Sequence, residues 1–361
     1  MLPTSTSAGE MSRWYERPPD APLVRGDLVD DRPVVGMVFT HQAPRHRILL
    51  AGEETLSAPP DRAVPAGPEA DRAGILRSGP GPADRLDAGL IRAAAELAPG
   101  LTEAVELAIS VLGVEGRFIR SLLDTVDASR HHAWLVGGTV RDLVGDGADA
   151  RPNDLDFAGT MPPGELYDAA TAGLRAAGLG DYYPMVSEDS MVCSVAPAPG
   201  RPRIIEYKPL EVKGFPLRVY GGDLVDDVTC RDLTVNSLYY DHRRGLVLDP
   251  SGAGLADLLA APRRLRTPFD GDHPVRQAEV LVRFLKFAFR MPDADRSAFA
   301  AWARALPTDL ADRVPSRNWP ALTGLWRRCV AEDLAARAVD LAAGYGPGAG
   351  HVARTLHERS R

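Results

Sequence analysis

The spacing of apolar and polar positions changes along the 361-residue chain, and each spacing predicts a different kind of element. Val34 to Phe39 and Arg47 to Ala51 are short apolar runs of strand character. They lie in a leader otherwise rich in Pro, Gly, Asp and Arg, for which little regular structure is expected. Residues 86 to 129 place apolar side chains at helical steps: Leu90, Ile91 and Leu97, then Val105, Leu107 and Ile109, then Phe118, Leu122 and Leu123. Ala133 to Val136 reads as a brief strand that runs into Gly137-Gly138, with a helix expected from about Thr139. Met191 to Val195 and Arg203 to Tyr207 predict two more strands, joined by the turn-rich segment 196 to 200. Further on, Leu281, Phe284, Leu285 and Ala288 share one side of a helix whose other side carries Arg276, Glu279, Arg283, Lys286 and Arg290. Ala- and Arg-rich helices follow residue 291, with breaks expected at Pro307, Pro315, Pro320 and the Gly344 to Gly350 stretch.

Composition narrows the class. A chain of this length with 45% hydrophobic residues can build two or three compact units, each with a core. Cys193, Cys230 and Cys329 are scattered and lack CxxC spacing, so neither a disulfide framework nor a zinc site is indicated. The N-terminus has no basic-then-apolar signal pattern, and no apolar run approaches a membrane span, so a cytoplasmic protein without membrane contact is expected. Charge is unevenly divided. Residues 263 to 361 hold 17 Arg plus Lys against 11 Asp plus Glu, while the remainder holds 25 against 38. A basic helical stretch on an acidic chain fits a polyanion partner on one side only.

The chemistry concentrates in residues 135 to 157, LVGGTVRDLVGDGADARPNDLDF. Alternate residues of a strand point the same way, so Asp154 and Asp156 are expected to present two carboxylates on one face, roughly 7 Å apart along the chain. Hard divalent cations take such oxygen ligands and can clamp the attacking and departing oxygens of a phosphoryl displacement. Gly137 and Gly138 lack β-carbons and stand where a strand turns into a helix, a place where backbone amides and the helix N-terminus favour a triphosphate.

With Leu135, Val136, Gly137, Gly138, Val140, Arg141, Asp142, Gly145, Asp154 and Asp156 in order, the segment resembles the head-domain signature LVGGxVRDxLLG…DxD of class II tRNA nucleotidyltransferases and bacterial poly(A) polymerases. Residues 227 to 241, DVTCRDLTVNSLYYD, resemble the family's second block through Asp227, Arg231, Asp232, Thr234 and Asn236. The resemblance gives Arg231, Asp232 and Asn236 to the sugar and triphosphate of the nucleotide. An Arg fork suits phosphate oxygens, and an Asn amide can both donate to and accept from a ribose hydroxyl. Cys230 stands where the family has a first Arg.

Glu206, after Ile204 and Ile205, resembles the family's third acidic group near the metals; read locally it is equally an outward-facing residue of a hairpin strand. The Arg that closes that family strand is missing, with Pro209, Leu210 and Glu211 in its place. Residues 245 to 258, GLVLDPSGAGLADL, resemble the third block, so the likeness spans residues 115 to 266. The family then reads the base with E-D-x-x-R. Here FDGDHPVR places Asp272, His273 and Arg276 on that motif, and a second register, Glu279 to Arg283, is open; both lack the Asp. A neutral His273 forms one hydrogen bond at that position, in a different pattern from a carboxylate. The basic stripe beyond it fits phosphate contacts, although solvated surface helices carry such stripes too.

The expected fold is α+β: a leader over 1–85, a helical lead-in over 86–130, a nucleotidyltransferase head with a mixed β-sheet flanked by helices over 131–268, and a helical neck and body over 269–361. About 95 residues follow the matched blocks, where the family continues through its neck into a larger helical body. The resemblance implies Mg²⁺ on Asp154 and Asp156, with Glu206 as a further catalytic carboxylate, NTP as donor and an RNA 3′ end, including tRNA, as acceptor. Transfer to a small molecule or a protein side chain is the alternative. A non-catalytic RNA-binding protein is the third reading.

Overall fold

The computed structural model describes residues 28–29, 32–39, 46–50, 75–76, 86–147, 150, 154–187, 190–213 and 218–361. The chain divides into two compact units, Met1–Asp227 with Leu238–Pro250, and Val228–Ser237 with Ser251–Arg361.

The first unit holds two sheets. From the leader come β1 (Leu28–Val29), β2 (Arg32–Phe39), β3 (His46–Leu50) and β4 (Ile75–Leu76). The expected strand Val34 to Phe39 lies inside β2, and β3 matches the second up to Leu50; β1 and β4 were not expected from the sequence, and the rest of the leader expectation lies outside the described residues. The lead-in is less helical than its spacing predicts. Ile91–Ala93 is a strand, β5, before helices α1 (Ala94–Leu97), α2 (Leu101–Ser110) and α3 (Val114–Ala128). A run as short as Leu90-Ile91 carries too little period to tell helix from strand, and pairing with a distant strand decides it: Ile91 is the register partner of Leu248 and is buried in the head core.

Next come β6 (Ala133–Val136), α4 (Gly138–Gly145), β7 (Asp156–Gly159), α5 (Pro163–Ala176), β8 (Tyr183–Val186), β9 (Cys193–Ala196) and β10 (Ile205–Pro209). After β11 (Glu211–Val212), β12 (Val219–Tyr220) and α6 (Leu224–Val228), the unit closes with β13 (Tyr239–Asp241) and β14 (Leu246–Leu248). Eight strands form one sheet in the order β5-β14-β13-β6-β7-β10-β9-β8, antiparallel except for β7 and β10. It is therefore the mixed sheet expected. β8 was not predicted; as an edge strand it exposes Tyr183 and Met185, so it lacks the apolar alternation of a half-buried strand. Trp134 and Tyr239 meet edge to face at 6.4 Å in the core.

The second unit is helical: α7 (Gly254–Leu258), α8 (Pro274–Arg290), α9 (Ser297–Arg304), α10 (Leu310–Arg313), α11 (Trp319–Cys329), α12 (Ala335–Tyr345) and α13 (Pro347–Ser360). Leu281, Phe284, Leu285 and Ala288 are buried as expected, and Phe284 stacks on Phe299 at 3.4 Å. Of the expected breaks, one is corrected and one is borne out at a single residue. Pro320 sits in the first turn of α11, where its missing N–H costs no helical bond. In the Gly344 to Gly350 stretch only Gly346 separates α12 from α13; Gly348 and Gly350 lie inside α13 because the backbones there leave no room for a β-carbon, which would fall 2.2 Å from the Pro307 carbonyl oxygen and 2.8 Å from Ala343 Cα. No helix among the described residues is long and apolar enough to cross a membrane.

Candidate nucleotidyl-transfer site

In the first unit β6 delivers the chain to Gly137, whose φ of 73° is a conformation only glycine adopts without strain. α4 begins at the next residue. A β-carbon on Gly137 would lie 3.5 Å from Asp156 Oδ2, so this turn comes close to the carboxylate without crowding it. Thr139 Oγ1 donates to the Asp154 backbone carbonyl at 2.5 Å, which ties the start of α4 to the chain entering β7. Arg141 lies buried along the helix, with Nε and Nη2 each 2.7 Å from Asp142 Oδ1.

Sheet register aligns the acids. Val136 pairs with Asp156 across β6 and β7, and Asp156 pairs with Glu206 across β7 and β10. Register partners in adjacent strands project to one face, with strands about 4.8 Å apart, so Asp156 and Glu206 are neighbours on the sheet. Asp154 lies before the first residue of β7, not within the strand as the alternation predicts, and is exposed. Glu206 forms an ion pair with Arg203, so the charged strand residue has its compensating partner while sitting beside Asp156.

Among the described residues no three His, Cys, Asp or Glu side chains are gathered so as to hold a metal ion by themselves. The donor set at Asp154 and Asp156 still fits a hard divalent cation, because Mg²⁺ is held by one or two carboxylates and completes its shell with phosphate oxygens and water.

A buried network that the sequence did not reveal follows Glu206. Glu211 pairs with Lys208 and, at 3.0 Å, with Arg218; its backbone N–H donates to Asp227 Oδ1 at 2.9 Å. Tyr239 Oη donates to the other Asp227 oxygen at 2.5 Å. Asp227, counted in the second block, is thus fully enclosed and ties the segment after β10 to the central sheet. The three-residue step from Lys208 to Glu211 was the one local signal; Tyr239 had none.

At the opposite end of β6, His131 Nδ1 lies 3.2 Å from Thr160 Oγ1, and burial, reinforced by Arg244, lowers the His132 pKa to about 4. Both histidines lie between the end of α3 and the start of β6.

In the second unit, Asp232 Oδ1 accepts from the Leu233 amide at 2.7 Å and from Asn236 Nδ2 at 3.2 Å, and Arg283 approaches Oδ2 at 3.5 Å. Thr234 Oγ1 donates to Asp257 Oδ2 at 2.8 Å, with Arg266 on the same carboxylate, which links the second sequence block to the third. His273 is the N-cap residue of α8, Pro274 opens the helix and Asp272 is exposed. Arg276 reaches Glu279 at 2.7 Å and the carbonyl of Cys230. The carboxylate beside Arg276 therefore comes from three residues after it, not three before. Cys230, where the resemblance has Arg, contributes its backbone oxygen to this arginine. Arg231, the remaining residue of that block, lies between Cys230 and Asp232 in the turn after α6.

Residues 194–263 match the family described as Poly A polymerase head domain. No curated protein matches the chain. Among solved structures, a CCA-adding enzyme in complex with ATP aligns with TM-score 0.51 and 18% identity over 72% of this chain and 54% of its own. The Bacillus stearothermophilus CCA-adding enzyme in complex with CTP gives 0.47 and 18% over 68% and 57%, and the Thermotoga maritima enzyme complexed with tRNA gives 0.49 and 17% over 71% and 54%. The chain thus spans little more than half the length of these proteins. The ATP complex shares its fold. The head-domain match lies across β9 to α7, and the glycine and carboxylate block stands on the sheet that holds β9 and β10, so this part of the chain is similar to a Poly A polymerase head domain.

Proposed function

We propose that the protein is a template-independent nucleotidyltransferase that moves an NMP unit from an NTP to an acceptor hydroxyl, with an RNA 3′ end as acceptor and pyrophosphate as the leaving group. The observation that carries this reading is the row of Val136, Asp156 and Glu206 across three strands, beside a glycine turn that lets backbone approach. Asp154 and Asp156 would hold the divalent cation, taken as Mg²⁺, which when bound offsets charge on the phosphates and lowers the pKa of the attacking hydroxyl. Gly137 and Gly138 leave space for a triphosphate at the start of α4. Thr139 holds the chain that presents Asp154. Arg231, Asp232 and Asn236 are assigned by resemblance to the sugar and phosphates. Asp272, His273 and Arg276 are assigned to the base. The new bond joins the acceptor oxygen to the α-phosphorus as the bond to pyrophosphate breaks.

The test supplies each α-labelled NTP with Mg²⁺ and, separately, total RNA, tRNA lacking its 3′ end, nucleosides and protein. Label on RNA is the expected outcome. Label on a small molecule or protein would move the assignment to the alternative acceptor, and no transfer with any acceptor would overturn catalysis.

A further inference from the structure

The strand pair β11–β12 is two residues long on each side, with Glu211 opposite Tyr220 and Val212 opposite Val219. A ribbon this short is marginal alone; three or more strands with an apolar face are needed for stability. The third strand comes from the leader. Tyr220 of β12 is the register partner of Met37 in β2, and β3 backs β2 along Val34 to Phe39. Val38 joins Val212 and Val219 in a separate buried cluster, with Val35 packed against it. The fit is close: a β-carbon on Gly36 would meet Val219 Cγ1 at 2.2 Å, and one on Gly221 would meet Met37 Cε at 2.8 Å. Val34, Met37, Val38 and Phe39 are all buried, as in a central strand.

What the ribbon holds matters for the site. It follows directly on the Glu206 strand, donates the Glu211 amide to Asp227, and returns the Gly221 amide to the Leu210 carbonyl at 3.1 Å before α6 begins. We propose that the leader strand pair β2–β3 is an intramolecular donor that keeps the β11–β12 ribbon, and with it the Glu211–Asp227 hydrogen bond, in register at the end of the Glu206 strand. The leader is then a positioning element of the head.

Two measurements on the full chain test this. In Gly36→Val, hydrogen exchange at the Glu211 and Gly221 amides is expected to accelerate at least about tenfold, while amides of residues 133–136 and 239–241 keep the wild-type rate. Unchanged exchange at 211 and 221, or equal acceleration across both sheets, overturns the proposal. Independently, with a protease site placed between residues 55 and 70 of the otherwise unaltered chain, the cleaved leader is expected to co-elute with the remainder at micromolar concentration. Separation of the two fragments after cleavage overturns it as well.

Discussion

The sheet carboxylates of the first unit and the charged face of α8 in the second are positioned by different means. Asp156 and Glu206 stand where a ladder puts them: slipping either strand by one residue would turn its whole set of side chains to the other face. Their residue types follow the family pattern. Arg276, Glu279 and Arg283 occupy a helix face, where a residue three positions away can supply a lost partner. Where the pattern has an acid, the chain has His273, and Arg276 takes Glu279 instead; where it has an Arg, Cys230 offers a carbonyl. A ladder permits little substitution, whereas a helix face can re-pair. Under the proposed function, the chemistry common to every NTP would fall to the sheet and the choice among NTPs to the helix.

The largest effect that can break this contrast is on turnover. Asp154→Asn and Asp156→Asn are each expected to lower the rate of NMP transfer by roughly 10²–10³ or more, with unchanged melting temperature, the scale of removing one transition-state electrostatic element. Equal activity in wild type and both variants would remove the sheet from the mechanism.

Acid sharpens the contrast next, because the first unit carries a buried neutral imidazole. His132 faces Arg244, Asp241, Asp127 and His131, and burial holds its pKa at about 4 against an ordinary 6.5. Its contribution is whole above pH 6.5. Below that the unfolded chain takes a proton that the folded one refuses, and stability falls until about pH 4, where both states are protonated. The loss for this residue is about 3 kcal/mol. Urea unfolding of the head at pH 7 and pH 4.5 should show it, and His132→Leu should flatten the dependence; an equally steep profile in the variant would refute the assignment.

Nucleotide choice carries a smaller expected effect. With His273 at the acid's position, a bidentate contact worth about 1–3 kcal/mol of discrimination is lost, so relaxed or single-nucleotide addition is expected. Sequencing the products formed on tRNA lacking its 3′ end with all four NTPs decides this, and faithful completion to CCA would overturn this reading of residues 272 to 283.

The smallest effect concerns the stripe itself. Neutralising Arg276, Arg283 and Arg290 to Gln would lower the salt slope of RNA binding by about one for each lost phosphate contact. Because Arg276 is already held by Glu279 and Cys230, and Arg283 by Asp232, a change of about one is expected for the triple variant. An unchanged slope would assign the stripe to solvent.

Strands and helices were legible wherever a long run repeated its period. α8 was readable residue by residue, because seventeen positions sample the 3.6-residue repeat almost five times. β5 was not, since Ile91 is a strand residue only through its pairing with Leu248. Of the candidate site, the Gly137 turn and Asp156 were readable from local order, whereas the Glu211–Asp227–Tyr239 knot joins residues that no spacing connects.

Sequence alone determined the kinds of groups present: the paired acids, the double glycine, the basic helix face and the missing acid at 273. These are local, and local chemistry is written in adjacent residues. Tertiary structure alone decided which acids become neighbours, that Glu206 stands beside Asp156 and also has Arg203, and that a leader without a readable motif supplies the strand that covers Val212 and Val219. Pairing between distant strands depends on which surfaces the whole chain must bury, and a single segment does not encode that on its own.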